Sequence, residues 1–231
     1  MKWLLMFFVS AVLLFGVCFA GEKPELKSQK AKDSYSLGYQ YGETFKKQGM
    51  EIDMDVFTAG IRDAQEGKEP GMSPEEIRET ISSLQKRAFI AQQQRLREQA
   101  AKNLEEGKAF LAENAKKEGV KTLPSGLQYR VITEGTGASP KAGETVTVNY
   151  RGTFLDGTEF DSSYKRGKPA SFQVDGVIAG WTEALQLMKP GDKWQLFVPS
   201  ELAYGQRGMG RIPPNSTLIF EVELVSLGSV E

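Results

Sequence analysis

The residue types that most often carry catalysis are nearly absent from this sequence of 231 residues. It contains no histidine and a single cysteine, Cys18. Without histidine there is no Ser-His-Asp triad, no Cys-His pair and no HExxH zinc site, and one cysteine excludes an internal disulfide and a CxxC motif. An enzyme with this composition has to use carboxylates, lysines and tyrosines, or no proton transfer at all. We expect neither a metal nor another cofactor.

Four short runs that contain aromatic residues follow one another along the second half of the chain. Tyr150, Asp161, Trp181 and Tyr204 stand in the short runs VNYRG, EFDSS, VIAGW and AYG. A single aromatic residue at strand spacing is usually a core residue, so none of these positions identifies a site by itself. Only the ordered set of runs indicates a function.

The elements that must position these residues are strands. Apolar and polar residues alternate in four runs of the second half, at 127–131, 146–150, 194–198 and 218–224. Such alternation with one apolar face is typical of antiparallel strands packed against a core. One short helix is predicted at about 178–188. The fold class of residues 120–231 is therefore α+β, an antiparallel β half-barrel wrapped over one short helix.

The first half of the chain has the pattern of an all-helical unit. Helices are predicted at about 33–48 and 53–67, with apolar side chains on one broad side of each. Because so short a segment cannot form a core alone, we expect residues 21–72 to be a dimerisation domain; folding back onto the C-terminal domain is the alternative. Residues 73–119 open with a Ser-Pro-Glu-Glu capping box and are predicted to form a long, solvated connecting helix.

The first twenty residues have the pattern of a targeting segment. Lys2 precedes an apolar run that ends in small residues, which predicts a secretory signal peptide, residues 1–20, cleaved after Ala20. An uncleaved membrane anchor and lipidation of Cys18 are the alternatives. The net charge of −1, from 29 basic and 30 acidic residues, provides no basic excess for nucleic acid. We expect a periplasmic protein with no nucleic-acid partner.

Taken in order, the runs in the second half resemble the signature blocks of FKBP-type peptidyl-prolyl cis-trans isomerases. The resemblance covers about 123–227 and continues through IPPNSTL at 212–218 and FEVEL at 220–224. The helical half and the signal peptide resemble the macrophage infectivity potentiator-like subgroup, whose members are exported, V-shaped homodimers. The resemblance implies rotation of X–Pro bonds in unfolded or proline-containing polypeptides, assistance to the folding of exported proteins, and binding of macrolide inhibitors.

By the same resemblance, four residues would be catalytic and six would bind the substrate. The catalytic set is Tyr150, Asp161, Trp181 and Tyr204. The binding set is Phe160, Arg166, Val177, Ile178, Ile212 and Phe220. Trp181 would form the floor under the proline ring, and the Ile178 backbone N–H and the Tyr204 hydroxyl would hold substrate carbonyls. Asp161 would stand at the pocket wall, paired with Arg166.

Two positions depart from the family pattern. Ala170 replaces a pocket aromatic that many members carry, which predicts a more open wall, and Arg211 replaces an apolar residue within an unusual loop at 206–211. A holding chaperone that keeps the fold, and a structural stalk built on the long helix, are the competing functions. The presence of Asp161, Trp181 and Tyr204 favours catalysis.

Overall fold

The computed structural model describes residues 24–228. The predicted signal peptide at 1–20 and its two alternatives lie outside these residues. Contacts divide the chain between Ser73 and Pro74 into two compact units, and each is described by itself. Among the described residues, no helix combines the length and the apolar character that crossing a membrane requires.

The first unit contains two helices whose starting points are set by capping side chains. Helix α1 (Gln29–Gln48) starts four residues earlier than predicted, because the Ser28 hydroxyl accepts a hydrogen bond from a backbone N–H of its first turn. It ends at Gly49, whose φ of 65° lies in the left-handed region. Helix α2 (Met54–Gln65) is capped by Asp53, whose carboxylate accepts hydrogen bonds from two backbone N–H groups.

Neither α1 nor α2 buries a residue, although both carry large apolar side chains. Tyr39 and Val56 are 60% and 68% exposed. Tyr41, Phe45 and Phe57 form a ring cluster in which Phe45 and Phe57 meet edge to face at 5.3 Å. The unit thus presents an apolar surface of the kind that dimerisation would bury.

The second unit combines a long helix, α3 (Pro74–Asn114), with a seven-stranded sheet. The strands are β1 (Val120–Thr122), β2 (Gln128–Thr133), β3 (Thr145–Thr153), β4 (Glu159–Ser162), β5 (Ala170–Gln173), β6 (Lys193–Val198) and β7 (Leu218–Leu227). They run in the order β1-β2-β6-β7-β3-β4, with β5 also paired to β3, and every pair is antiparallel. The four predicted strands are β2, β3, β6 and β7, and the α+β class is confirmed.

The core of this unit lies between the sheet and one short helix, α4 (Ala179–Leu185). Leu185 of α4 is fully buried, as are Val148 of β3 and Leu196 of β6. The helix is shorter than the predicted 178–188. Its last turn loosens beyond Leu185, although Met188 remains fully buried. The burial of apolar side chains from one face of each strand is what the period-two pattern required.

The end of α3 packs against the sheet, so the prediction of a helix solvated along its whole length is wrong there. Asn114 is 1% exposed and donates from Nδ2 to Gln128 Oε1 at 2.9 Å, while Gln128 Nε2 donates to the Leu111 carbonyl. The Phe110 ring lies 5.9 Å from that of Phe197. The polar pattern of α3 suggests a solvated helix, but the amides of Asn114 and Gln128 can be buried because each has a hydrogen-bond partner.

Gly107 allows α3 to approach the sheet closely. A Cβ at this position would overlap the Thr217 hydroxyl and stand 3.2 Å from Thr217 Cβ. Gly107→Ala is therefore expected to lower the free energy of unfolding by about 1–3 kcal/mol, although alanine is by itself the better helix former. Urea unfolding measures the change. The double variant with Thr217→Ala should recover most of the loss, whereas a Gly107→Ala protein more stable than the parent would contradict the close contact.

Candidate active site

A cavity of about 390 Å³ opens where the first turn of α4 meets one end of the sheet. The predicted site residues that line it are Tyr150, Phe160, Asp161, Val177, Ile178, Trp181, Tyr204 and Phe220. Arg166 and Ile212 are not among the lining residues. Residues that lie 70 positions apart in the chain, such as Tyr150 and Phe220, thus meet in one place because β3 and β7 are neighbours in the sheet.

The inner wall of the cavity is a set of aromatic rings held at right angles. The Trp181 ring is 4% exposed and meets the rings of Tyr150 and Phe220 edge to face, each at 5.2 Å. Phe160 meets Phe220 in the same manner at 5.6 Å. Edge-to-face pairs have a preferred geometry, so these rings form a stiff apolar enclosure rather than a loose cluster.

The polar part of the wall is a cluster of three side chains, Tyr150, Asp161 and Arg166, that bond to one another in a triangle. The Tyr150 hydroxyl donates to Asp161 Oδ2 at 2.5 Å. Arg166 donates from Nη1 to Asp161 Oδ1 and from Nη2 to the Tyr150 oxygen, both at 2.6 Å. Arg166 therefore acts from behind the wall, fixing two lining residues without lining the cavity itself. Such charge-assisted bonds are the stronger kind.

The protonation states of this wall follow from burial and from these bonds. Burial raises the pKa of the Tyr150 hydroxyl, and the bond to Asp161 adds to this effect. Burial by itself would also raise the pKa of Asp161, but the bonds from Tyr150 and Arg166 outweigh it and lower that pKa. Burial, together with the charge on Asp161, raises the pKa of Tyr204. At neutral pH the wall holds a carboxylate, a guanidinium and two protonated phenols.

The rate of a reaction at this site is expected to be independent of pH between about 5 and 9. The ordinary pKa values of aspartate and tyrosine, about 4 and about 10, are shifted outward here. The pKa of Asp161 is lower in the folded chain than in the unfolded chain. Its carboxylate therefore also stabilises the fold at pH values above the unfolded-state pKa, and this stabilisation is lost as the pH falls through the folded-state pKa. Measuring kcat/KM across this pH range tests the expected independence of the rate from pH. An inflection near about pH 6.5, the usual pKa of histidine, would contradict it.

The rest of the cavity edge is formed by the backbone at Ile178 and by the loop that contains Met209. The Ile178 N–H, immediately before α4, donates to no group among the described residues. Met209, 66% exposed, lines the cavity from a loop that the sequence marked only as unusual. Its partner across that loop is Ile212, joined to Met209 by two backbone hydrogen bonds of 2.9 Å. Ile212 thus supports a lining residue and does not line the cavity.

Phe172 is a lining residue that the sequence reasoning missed. It lies two positions after Ala170 on β5, and its ring contacts those of Tyr150 and Trp181, both at 6.0 Å. The wall near Ala170 is therefore aromatic after all, although the aromatic ring comes from a different position. The period of two along β5 was the available signal, because Ala170 and Phe172 have to share one face.

The fold and the site together define a class: α+β domains in which a half-barrel and one short helix enclose an aromatic cavity beside a single carboxylate. Comparison with family models gives the class a name. Residues 137–225 match the model described as FKBP-type peptidyl-prolyl cis-trans isomerase, and residues 30–131 match the domain amino terminal to FKBP-type peptidyl-prolyl isomerase. The chain belongs to the family of FKBP-type peptidyl-prolyl cis-trans isomerases.

Individual relatives extend the similarity over almost the whole chain. This chain is 46% identical over 209 residues to the outer membrane protein MIP of Legionella longbeachae, and the match covers 90% of each chain. It is also 46% identical to the peptidyl-prolyl cis-trans isomerase Mip of Coxiella burnetii, covering 98% of this chain and 99% of that one. The crystal structure of FkpA from Escherichia coli matches with a TM-score of 0.72 and 43% identity, covering 87% of this chain and 97% of that one.

Proposed function

We propose that this chain catalyses rotation about X–Pro peptide bonds in unfolded exported polypeptides, that it binds the proline in the aromatic cavity, and that it works as a homodimer. The observation that carries the proposal is the enclosure of a cavity by Trp181, Phe220, Phe160 and Tyr150 beside the carboxylate of Asp161. A proline ring needs an apolar enclosure, and its amide needs a few polar groups at the rim.

The chemistry requires no bond to be made or broken. The barrier to rotation, about 18–20 kcal/mol, is the resonance of the planar amide. The planar amide has more charge separation than the twisted one, so water stabilises the ground state. A cavity lined by aromatic rings replaces that water and favours the twisted amide. This mechanism needs no histidine, metal or other cofactor, in keeping with the composition of the chain.

Within this mechanism the residues have distinct roles. Trp181 forms the floor under the proline ring, while Phe160, Val177 and Phe220 complete the enclosure. The Ile178 N–H and the hydroxyl of Tyr204, which lines the same cavity, hold substrate carbonyls. Asp161 contacts the amide or holds Tyr150 in place. Arg166 positions Asp161 and Tyr150 through two bonds of 2.6 Å.

A homodimer built on α1 and α2 is the assembly that this function uses. Support comes from the exposed apolar side chains of those helices, among them Tyr35 and Tyr39, whose rings stack at 6.2 Å. Residues 30–131 also match the amino-terminal domain that accompanies this isomerase in other family members. Two such units would bury against each other the faces that neither can cover alone.

Export is the other part of the proposal. The apolar run before Ala20 has the pattern of a signal peptide, and one relative is named as an outer membrane protein. We place the mature chain in the periplasm after cleavage; retention as an anchor or lipidation at Cys18 would instead keep it on a membrane. Mass spectrometry of the protein recovered from cells distinguishes the three forms by their N-termini.

A protease-coupled isomerisation assay on residues 21–231 tests the activity, with peptides that differ in the residue before proline. The uncatalysed reaction takes tens to hundreds of seconds, and we expect nanomolar enzyme to shorten it clearly. A macrolide that mimics proline should stop the reaction and change Trp181 fluorescence, with Trp194→Phe removing the other signal within the described residues. Binding of unfolded protein without acceleration of any peptide would leave a holding chaperone as the function.

A further inference from the structure

Helix α3 is bonded to a short segment, residues 213–217, that leads into β7. Asn103 donates from Nδ2 to the Pro214 carbonyl at 2.7 Å. In the opposite direction, Asn215 donates from Nδ2 to the Ala100 carbonyl at 3.2 Å. These two bonds join positions more than 100 residues apart in the chain, and both are partly buried. The segment is thereby held on one side by the helix.

On its other side, the same segment holds the loop that follows Tyr204. The Asn215 backbone N–H donates to the Gly205 carbonyl at 2.8 Å, and Gly205 is the residue next to Tyr204. Further along the loop, a Cβ at Gly208 would overlap the Ile212 carbonyl and stand 2.9 Å from the Pro213 carbonyl carbon. The loop therefore rests directly on the start of the segment, with no side chain between the two backbones.

Asn215 has an unusual backbone conformation at the centre of these contacts. Its φ of 55° makes it the only residue other than glycine with a positive φ among residues 24–228. Asparagine tolerates this region better than most residues, but the conformation persists only when its surroundings hold it. Here the side chain is held by α3 and the main chain by the loop, so one residue connects the helix to the cavity rim.

We propose that Asn215 and Asn103 are positioning residues for the isomerase reaction, so that the stretch of α3 at 100–103, and not its end at Asn114, supports the catalytic site. They act through the loop at 205–212 and set the place of the Tyr204 hydroxyl and of Met209 at the cavity. The inference rests on the proposed role of Tyr204. Without the bonds to α3, the loop keeps its own hairpin but is no longer fixed relative to Trp181, and stabilisation of the twisted amide is lost.

The test is Asn215→Asp in the mature chain, residues 21–231. Aspartate keeps the shape and tolerates the positive φ, but it cannot donate to the Ala100 carbonyl. With a short proline peptide at about 10 °C, where the uncatalysed reaction is slow, we expect kcat/KM to fall about threefold to tenfold, mainly in kcat. Asn103→Leu removes the bond to the Pro214 carbonyl and should also lower kcat/KM. It provides a second variant if Asn215→Asp fails to fold.

The matched control breaks the docking of α3 at its far end. Asn114→Ala removes the bond to Gln128, which touches neither the segment at 213–217 nor the loop. It should lower Tm and leave kcat/KM of the folded enzyme unchanged, while amide exchange at Met209 and Ile212 should accelerate only in the Asn215 and Asn103 variants. Folded Asn215→Asp and Asn103→Leu enzymes with the parent kcat/KM would overturn the inference, as would an equal loss in Asn114→Ala. An inactive parent enzyme would instead refute the proposed function.

Discussion

Asp161→Ala is expected to lower kcat/KM by more than about tenfold, which corresponds to about 1.4 kcal/mol of transition-state stabilisation. The carboxylate is the only acidic group among the residues that line the cavity. It also accepts the bonds that orient Tyr150 and Arg166. The fold should survive, because the Asp161 side chain is 45% exposed and supports little packing. The measurement is the protease-coupled assay, with circular dichroism to confirm the fold.

Two further variants make this result specific. Asp161→Asn keeps the shape of the side chain and one accepting oxygen but removes the charge, so its activity should lie between those of the parent and Asp161→Ala. Glu221→Ala breaks an ion pair with Lys193, 2.7 Å long, whose two residues do not line the cavity, and should leave the rate unchanged. A folded Asp161→Ala enzyme with full activity would remove this carboxylate from the mechanism.

Removing the first unit should lower the activity on unfolded protein and leave the activity on short peptides unchanged. A chain shortened to residues 74–231 keeps every lining residue and the docked α3. We expect it to be monomeric and to isomerise short peptides at about the parent rate. On an unfolded protein it should be slower by about tenfold or more, because a second arm raises the effective concentration of the client at the site. Refolding of a protein limited by proline isomerisation measures this rate.

The position of the cut decides whether this comparison is fair. A chain starting at Gly119 would lose Phe110 and Asn114, which cover Phe197 and Gln128, and would be less stable for that reason alone. Sedimentation of the 74–231 chain provides the control for its assembly state. A shortened chain that remains a dimer, or one that is fully active on unfolded protein, would contradict the division of labour between the two units.

Local patterns were sufficient to predict most of the fold, and the family resemblance of short runs named most of the residues that line the cavity. Four of the strands were predictable because each has one buried face, which leaves a period of two in the sequence. Tyr150, Asp161, Trp181 and Tyr204 stand in short runs whose order along the chain resembles a known family, and that resemblance, rather than any single position, proposed them as site residues. The absence of histidine and of a second cysteine excluded most other chemistries on composition alone.

Contacts between distant parts of the chain could be decided only by the tertiary structure. Phe172 and Met209 line the cavity. The period of two along β5 indicates only that Phe172 shares a face with Ala170, and no local pattern marks Met209 as a lining residue. Asn103 and Asn114 stand on a helix that reads as polar and solvated, yet one bonds Pro214 and the other Gln128. A polar side chain gives the same local pattern whether water or a buried amide satisfies it. The sequence by itself therefore determined the class of fold and the aromatic site, whereas the docking of α3 depended on partners that only folding brings together.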